Sequence, residues 1–258
     1  MPNIQYPVFT GRVALVSGAA QGMGAAHARR LARSGAVVVV NDLFPSESLN
    51  RLAEEIGGIA APGDVSDAEV VDDLVRHAEQ RVGPIDILVA NHAYMTMAPF
   101  LEADLDDWWK IIDTNLGGAI NLIQAVLPGM RAKGAGRIVA IASEWGVTGW
   151  PKATAYSASK SGIIALVKTL GRELAPEGII VNAIAPGVTD TPQLKVDALA
   201  DGISLAEMKR IYSEEIPLGR VGTVEEIAAT VAFLSDFRIS AIVGQVVQVN
   251  GGSTRGRV

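Results

Sequence analysis

Short apolar runs alternate with longer helix-period segments along almost the whole chain, and this alternation constrains the fold more strongly than any other feature. Six runs rich in β-branched residues are clear, and a seventh, at 57–65, is weaker. The six clear runs are 12–18, 36–42, 85–91, 136–143, 178–187 and 244–252. Uninterrupted apolar runs are typical of strands that are buried on both faces of a parallel sheet.

Five segments between these runs carry apolar residues at three- and four-residue spacing, which is the helix period. They are 24–34, 67–82, 104–130, 155–174 and 223–235. Asp67, Asp104 and Thr223 are predicted N-caps, because an acidic first turn follows each of them. Strands that alternate with helices form right-handed βαβ units. We therefore predict an α/β, Rossmann-type doubly wound fold: a mostly parallel seven-stranded sheet with helices on both faces, in a single domain over 1–258.

One polar, partly helical stretch, 188–217, breaks the alternation. It stands between a predicted strand and a predicted helix. Insertions at such a position are often lids over a ligand. We expect this stretch to be a substrate lid.

The chain has 258 residues, of which 49% are hydrophobic and 19% charged, so a substantial core is expected. Its net charge of −6 and the lack of a basic run argue against nucleic-acid or anionic-membrane binding. The absence of cysteine excludes disulfides, thiolate metal sites and cysteine nucleophiles. No signal peptide is apparent, and no apolar run is long enough to cross a bilayer. We expect a soluble, cytoplasmic protein with no nucleic-acid or membrane partner.

A glycine-rich turn follows the first predicted strand and opens the first predicted helix. Gly18, Gly22 and Gly24 have the spacing G-x-x-x-G-x-G within "SGAAQGMG". Glycines permit a tight turn and let backbone N–H groups approach a pyrophosphate at a helix N-terminus. An ordinary strand-to-helix turn is the alternative, but the position in the first βαβ unit favours a dinucleotide site.

The second predicted strand ends at Asp42. A carboxylate there can accept hydrogen bonds from both hydroxyls of the adenosine ribose and would repel a 2′-phosphate. Leu43 follows, Gln21 lies in the glycine turn, and no Arg or Lys adjoins Asp42. These residues predict NAD rather than NADP, although an exposed Asp at the end of a strand is the alternative.

Tyr156 and Lys160 stand at i and i+4 and so share one helix face. A phenol is a poor base near neutral pH because its reference pKa is about 10, and a nearby ammonium lowers that pKa. Ser143 ends a predicted strand and would lie at the carboxyl edge of the sheet, where ligands bind. Asn115 lies in a mostly apolar segment and could instead be a satisfied buried amide.

With these residues, the chain resembles the short-chain dehydrogenase/reductase family in its compact single-domain branch. The matching residues span Gly11 to Gly252. They are the turn 18–24, Asp64-Val65, Asn91, Asn115, Ser143, Tyr156, Lys160, "NAIAPGVTDT" at 182–191 and "GQVVQVNGG" at 244–252. Together these motifs identify the family but not the substrate.

The resemblance implies reversible hydride transfer between NAD and a carbinol or carbonyl carbon, without a metal. Tyr156 would transfer the proton, and Ser143 would hydrogen-bond the substrate oxygen. Lys160 would bind the nicotinamide ribose, and Asn115 would hold a water that links Lys160 to solvent. The expected cofactor contacts are Gly18, Gln21, Gly22, Met23, Gly24, Asp42, Leu43, Asp64, Val65, Asn91, Tyr156, Lys160, Pro186, Gly187, Val188 and Thr191.

The loop after the fourth predicted strand departs from the family pattern. Family members commonly read Asn-Asn-Ala-Gly there, whereas this chain reads Ala90-Asn91-His92-Ala93. Asn91 retains the expected cofactor contact. His92 could point to the cofactor, to the substrate pocket or to a neighbouring backbone.

Segments that follow the carboxyl ends of the strands form the substrate pocket in this fold. The residues expected to line it are Tyr94, Met95, Glu144, Trp145 and Trp150. Tryptophan and methionine would make a broad, apolar and adaptable wall. For Trp150, a role in the core or in an oligomer contact is the alternative.

We therefore predict an NAD-dependent oxidoreductase that interconverts a secondary alcohol and a ketone of apolar, cyclic or aromatic character. A 3-oxoacyl-carrier-protein reductase is an alternative, but its usual choice of NADPH conflicts with Asp42. A non-catalytic NAD-binding protein is a second alternative, against which the intact Ser143, Tyr156 and Lys160 weigh. The resemblance also implies a homotetramer, with a dimer as the alternative, built through 104–130, 155–174 and the C-terminal strand.

Overall fold

The computed structural model describes residues 8–254, and one sheet runs through this part of the chain. Its strands are β1 (Val13–Val16), β2 (Val37–Val40), β3 (Ile59–Ala60), β4 (Ile87–Ala90), β5 (Gly136–Ile141), β6 (Ile179–Pro186) and β7 (Val246–Val249). The strand order is β3-β2-β1-β4-β5-β6-β7, and every neighbouring pair is parallel. The predicted seven-stranded sheet is confirmed, and the weak candidate at 57–65 supplies β3.

Helices connect these strands in the described residues. They are α1 (Gly22–Arg33), α2 (Glu47–Ile56), α3 (Ala68–Val82), α4 (Leu105–Ile112), α5 (Gly118–Lys133), α6 (Trp145–Thr148), α7 (Thr154–Leu174), α8 (Pro192–Ala200), α9 (Leu205–Glu215) and α10 (Val224–Leu234). Single 3₁₀ turns lie at Phe100–Glu102 and Ala175–Glu177. Between residues 8 and 254, no helix combines the length and the apolar character that a membrane span requires.

Each face of the sheet is covered by its own set of helices. Successive strand residues point to opposite faces, so Leu15 and Leu88 pack on one side with α3, α5 and α7. Val16 and Val89 pack on the other side with α1, α2 and α10. Because both faces are buried, the strands read as continuous apolar runs rather than as alternating ones.

Local capping sets where several helices begin. The three predicted N-caps are confirmed: the side chains of Asp67 and Asp104 each accept hydrogen bonds from two backbone N–H groups in the first turns of α3 and α4. Thr223 forms a capping box with Glu226 at the start of α10. Helix α2 was not predicted, although Leu49, Leu52 and Ala53 have the helix spacing that would have indicated it.

The predicted helix over 104–130 is interrupted in the structure. A π-helical turn, Asp113–Gly117, separates α4 from α5 and carries Asn115, which is fully buried. The Asn115 side chain is hydrogen-bonded to Tyr94 and Ser159, which lie far from it in the chain. Such turns are frequent at functional sites. Hydrophobic periodicity could not show the break because these partners are known only from the tertiary structure.

The insertion 188–217 folds into α8 and α9. Leu194, Ala198 and Met208 form a small cluster of their own, separate from the two clusters that cover the sheet. Lys209 on α9 forms an ion pair with Asp190 at 2.5 Å, between Nζ and a carboxylate oxygen. The insertion is thus a small helical unit that follows the carboxyl end of β6.

Helix α7 crosses the chain that enters β7 at a very small distance. A Cβ atom added at Gly171 would lie 2.6 Å from the Cα of Gly244, whereas one added at Gly117 would have nothing within 4 Å. Gly171→Ala should therefore lower the free energy of unfolding by about 1–3 kcal/mol through overpacking. Gly117→Ala, the matched control, should raise it by about 0.5–1 kcal/mol, since alanine favours helix. Urea denaturation of both variants checks this, and equal stabilities would contradict the close approach.

Candidate active site

Two adjoining cavities lie at the carboxyl edge of the sheet, where a parallel α/β sheet binds ligands. The larger, which we call the cleft, has a volume of about 650 Å³ and lies along the glycine turn, the end of β2 and the loop after β4. The smaller, the pocket, has a volume of about 270 Å³ and lies beside the ends of β5 and β6. The two cavities share Met23, Asn91, Ala93, Thr191 and Gln193.

The residues predicted to contact the cofactor are divided between these cavities. The cleft is lined by Gly18, Gln21, Gly22, Met23, Gly24, Asp42, Leu43, Asp64, Val65, Asn91 and Thr191. The pocket is lined by Tyr156, Lys160, Pro186, Gly187 and Val188. The sheet thus brings together residues that are up to 173 positions apart in the chain, from Gly18 to Thr191.

The glycine turn needs its glycines for two different reasons. Gly18 and Gly22 have φ values of +61° and +56°, in the left-handed region that favours glycine. At Gly24, a Cβ atom would lie 2.0 Å from the carbonyl oxygen of Gly18. No side chain caps the N-terminus of α1, and the first-turn residues Gly22, Met23 and Gly24 line the cleft. The first N–H groups of a helix have no partner within the helix. This arrangement suits an anionic group such as a phosphate.

Asn91 supports the glycine turn from behind. Its Nδ2 donates to the backbone carbonyls of Ser17 and Gly18, both at 3.1 Å. The side chain therefore holds the turn in place while the residue lines both cavities.

Asp42 is half-buried at the end of β2. Its carboxylate accepts hydrogen bonds from the backbone N–H of Ala20 and of Leu43, both at 2.9 Å. Among the described residues that line the cleft, Lys110 is the one lysine or arginine, and its Nζ lies 4.6 Å from the ring centroid of Tyr94. Asp42 thus places a carboxylate in the wall of the cleft.

Tyr156 and Lys160 extend from α7 into the pocket beside Ser143. The Nζ atom of Lys160 donates to the carbonyl of Ile141 at 2.7 Å and lies 5.6 Å from the Tyr156 ring centroid. Gly146 lets α6 approach α7, since a Cβ there would lie 2.8 Å from the Lys160 backbone. The hydroxyl of Ser143 accepts a hydrogen bond from the Trp145 N–H at 3.1 Å.

Burial dominates the electrostatics of the pocket. It lowers the pKa of Lys160 to about 7. Burial also raises the pKa of Tyr156, and a hydrogen bond with Ser143 opposes that rise. The sequence suggested that Lys160 would lower the pKa of Tyr156, but the net shift is upward because desolvation of the phenolate outweighs the favourable interactions. Tyr156 is accordingly a neutral phenol at neutral pH, which is the form that can donate a proton.

Asn115 links the loop after β4 to α7. Its Oδ1 accepts from the backbone N–H of Tyr94 at 2.7 Å, and its Nδ2 donates to the Tyr94 carbonyl and to the Ser159 hydroxyl, at 3.0 and 3.1 Å. Both ends of the amide are engaged by the protein. Asn115 thereby has a structural role in joining the two segments.

The residues expected in the substrate pocket have different locations. Met95, Glu144 and Trp145 line the pocket. Tyr94 lines the cleft instead, because its hydroxyl donates to Asp107 at 2.7 Å. Trp150 does not line the pocket; its ring stacks on Trp145, with centroids 5.0 Å apart and planes 6° from parallel.

Some pocket residues were not identified from the sequence, and four of them lie on the two helices of the insertion. Gln193, Leu194, Asp197 and Tyr212 come from α8 and α9. Their segment had been predicted as a lid, but nothing in its pattern shows which side chains face the pocket. That choice depends on how the two helices pack.

Glu144 is a buried carboxyl in the pocket wall. The hydroxyl of Ser253 donates to its Oε2. Burial raises the pKa of this carboxyl, while the hydrogen bonds from Ser253 and Asn250 oppose the rise. Glu144 thereby connects the chain beyond β7 to the segment that carries Ser143.

His27 and His92 are both buried, and His92 also lines the cleft. His92 points toward the turn: its Nδ1 lies 2.7 Å from the Ser17 hydroxyl. Burial and then the charge of Lys160 lower the pKa of His92 to about 3. Burial lowers the pKa of His27 to about 4. Both rings are neutral at neutral pH.

Comparisons with known proteins cover nearly the whole chain. A family model described as enoyl-(acyl carrier protein) reductase matches residues 18–254. The 3-oxoacyl-[acyl-carrier-protein] reductase of Thermotoga maritima is 36% identical over 94% of this chain and 97% of its own length. That of Aquifex aeolicus is 38% identical over 94% and 97%. The cis-4-hydroxycyclohexanecarboxylate dehydrogenase of Sinomonas cyclohexanicum is 36% identical over 95% and 98%.

The buried histidines should make the protein sensitive to acid. Below the ordinary histidine pKa of about 6.5, these histidines bind protons in the unfolded chain but not in the folded protein. Acid therefore favours unfolding. For His27 this penalty should grow from about pH 6.5 down to about pH 4, where the folded ring also protonates. His27→Leu should therefore make the fall in unfolding free energy between pH 6 and pH 5 smaller by about 1 kcal/mol.

Urea denaturation at a series of pH values measures this slope. The wild type, measured at the same pH values, is the reference for this slope. An unchanged slope in His27→Leu would show that the folded protein accepts the His27 proton.

Proposed function

The chain belongs to the short-chain dehydrogenase/reductase family, whose members are oxidoreductases that depend on a nicotinamide dinucleotide, and we propose that it uses NAD to interconvert a secondary alcohol and a ketone. One observation carries the proposal: Ser143, Tyr156 and Lys160 line one pocket that adjoins the glycine-turn cleft.

The cleft has the features that a dinucleotide requires. Gly18 and Gly24 leave room where side chains would collide with the backbone, and the first turn of α1 presents free N–H groups for a pyrophosphate. Asp42 would accept hydrogen bonds from the adenosine ribose hydroxyls. When bound, the dinucleotide supplies or accepts the hydride exchanged with the substrate carbon.

Tyr156 is the proton donor for reduction in this proposal. The neutral phenol donates to the carbonyl oxygen as that oxygen gains negative charge, and the Ser143 hydroxyl stabilises the same charge. In the oxidation direction the phenolate takes the proton from the alcohol. Lys160, whose pKa is about 7, supplies positive charge next to that phenolate when it is protonated.

The pocket wall favours an apolar ring as substrate. Trp145 stands edge-on to Tyr156, with ring centroids 5.9 Å apart. Met95, Leu194 and Tyr212 add further apolar surface, and Trp150 backs Trp145 in a second layer. A wall of aromatic and aliphatic side chains suits a cyclic or aromatic ketone.

Reduction of a 3-oxoacyl group on an acyl carrier protein is the second candidate. The relatives from Thermotoga maritima and Aquifex aeolicus favour it. The wall around Asp42 argues against it, since that reaction usually uses NADPH and a carboxylate repels a 2′-phosphate. The two candidates differ in both cofactor and substrate, so one set of assays separates them.

Self-association forms part of the proposal, with a homotetramer as the expected state. Four apolar side chains around the start of α4 are exposed: Phe100, Leu101, Leu105 and Trp109. Exposed apolar surface of this extent is characteristic of contact with another protein surface. A further copy of the chain would bury it.

The decisive substitution is Tyr156→Phe, which removes the proton donor and keeps the ring next to Trp145. We expect kcat for a cyclic secondary alcohol with NAD to fall by about 10²–10⁴-fold. The control is the Kd for NAD, measured by titration, which should change little in the variant. Full activity of the variant would contradict the mechanism. If the kcat/KM of the wild type is higher for a 3-oxoacyl thioester with NADPH than for a cyclic secondary alcohol with NAD, the second candidate is right.

Asp42 should determine the choice between the two dinucleotides. Asp42→Ala should weaken NAD binding by about 10- to 100-fold, the effect of losing a charged hydrogen-bond acceptor. Adding Leu43→Arg should then favour NADP by offering a partner for the 2′-phosphate. The exposed Asp72→Asn is the charge-matched control. A wild type that prefers NADP would contradict this assignment.

A further inference from the structure

The loop after β4 stands between the glycine turn and the catalytic helix. This loop carries His92, whose buried side chain reaches back to the end of β1. There, Nδ1 of His92 lies 2.7 Å from the Ser17 hydroxyl. The proposed reaction assigns no role to this ring. The departure from the family pattern at this position therefore needs a physical explanation.

The proton on the Ser17 hydroxyl fixes the tautomer of His92. The hydroxyl oxygen already accepts hydrogen bonds from the backbone N–H groups of Asn91 and His92, at 3.0 and 3.3 Å. A hydroxyl has two acceptor positions and one proton. Its proton must therefore go to His92 Nδ1 or to the carbonyl of Val89, and the former, at 2.7 Å, is much closer than the latter, at 3.4 Å.

Nδ1 is thus the acceptor, and Nε2 carries the ring proton. Nε2 is buried and has no hydrogen-bond partner within residues 8–254. The nearby backbone of Thr114 raises the pKa of the ring, but burial outweighs this effect. The ring reaches the first residue of α5, because a Cβ added at Gly118 would lie 2.7 Å from Nε2. His92 therefore fills the space between the glycine turn and the end of the π-helical turn.

A continuous set of hydrogen bonds leads from this loop to the catalytic tyrosine. Both backbone polar groups of Tyr94 are bound by the Asn115 side chain. Asn115 also donates to the hydroxyl of Ser159, which in turn donates to the carbonyl of Tyr156 at 2.7 Å. Any shift of the loop is therefore transmitted to α7.

We propose that His92 is a positioning residue: it locks the loop after β4 to the glycine turn through Ser17 and so holds the cleft in its dinucleotide-binding shape. The inference rests on the proposed function, since it concerns the affinity of the cleft for NAD. His92 contacts no reacting atom in this role. Its effect reaches the dinucleotide through the glycine turn and reaches α7 through Asn115.

The test compares three substitutions of His92. In His92→Asn, the side-chain oxygen can occupy the position of Nδ1 and accept the Ser17 proton. In His92→Gln, the amide lies one bond further out, and in His92→Ala no acceptor remains. The Kd for NAD should rise about tenfold in the Gln and Ala variants, the loss expected for one buried hydrogen bond, and should stay within about twofold in the Asn variant.

The kinetic constants separate positioning from chemistry. In the Gln and Ala variants KM for NAD should rise with Kd, while kcat should fall by a smaller factor, because Tyr156 and Ser143 are intact. His77→Ala, on the surface of α3, is the control. Equal NAD affinities for the Asn, Gln and Ala variants would overturn the proposal, even if all three are less stable than the wild type.

The tautomer provides a second, independent measurement. Correlation of ring protons with ring nitrogens by NMR should show an unprotonated Nδ1 and a protonated Nε2 for His92. A protonated Nδ1 would overturn the inference. A wild type that binds neither NAD nor NADP would instead overturn the proposed function, whereas normal wild-type binding that His92→Gln and His92→Ala leave unchanged would overturn the positioning role alone.

Discussion

The parallel arrangement of all strands is the constraint on which the rest of the structure depends. Parallel neighbours need a crossover for every connection, so helices must cover both faces and the strands must be apolar throughout. The same arrangement brings all the carboxyl ends to one edge. Gly18 after β1, Asp42 after β2, Asn91 after β4 and Ser143 after β5 then meet although they are far apart in the chain.

A second layer of buried polar side chains holds this edge in shape. Asn91, Asn115 and His92 each connect two loops or a loop and a helix, and none of them is charged at neutral pH. Neutral groups can be buried at moderate cost when hydrogen-bonded, whereas an unpaired charge would cost far more. Burial therefore selects the neutral form of His27 and His92, and the same burial keeps Tyr156 protonated.

Much of the fold and of the site could be predicted from the sequence because the signals are local. The strand runs, the caps at Asp67, Asp104 and Thr223, and the spacing of Tyr156 and Lys160 each depend on neighbouring residues. The failures concern contacts between distant segments. Tyr94 was expected in the pocket and is held in the cleft by Asp107, and Trp150 lies behind Trp145. The π-helical turn at Asn115 depends likewise on partners in two other segments.

The sequence by itself determined the alternation of strands and helices along the chain, the glycine turn and the shared helix face of Tyr156 and Lys160. Periodicity, turn chemistry and helix spacing act over a few residues, so they can be recognised without coordinates. Only the tertiary structure decided the direction of the Tyr156 pKa shift, the orientation of His92 and the contribution of α8 and α9 to the pocket. These properties arise from desolvation and from packing between segments that lie far apart in the chain, and no local pattern encodes which segments meet.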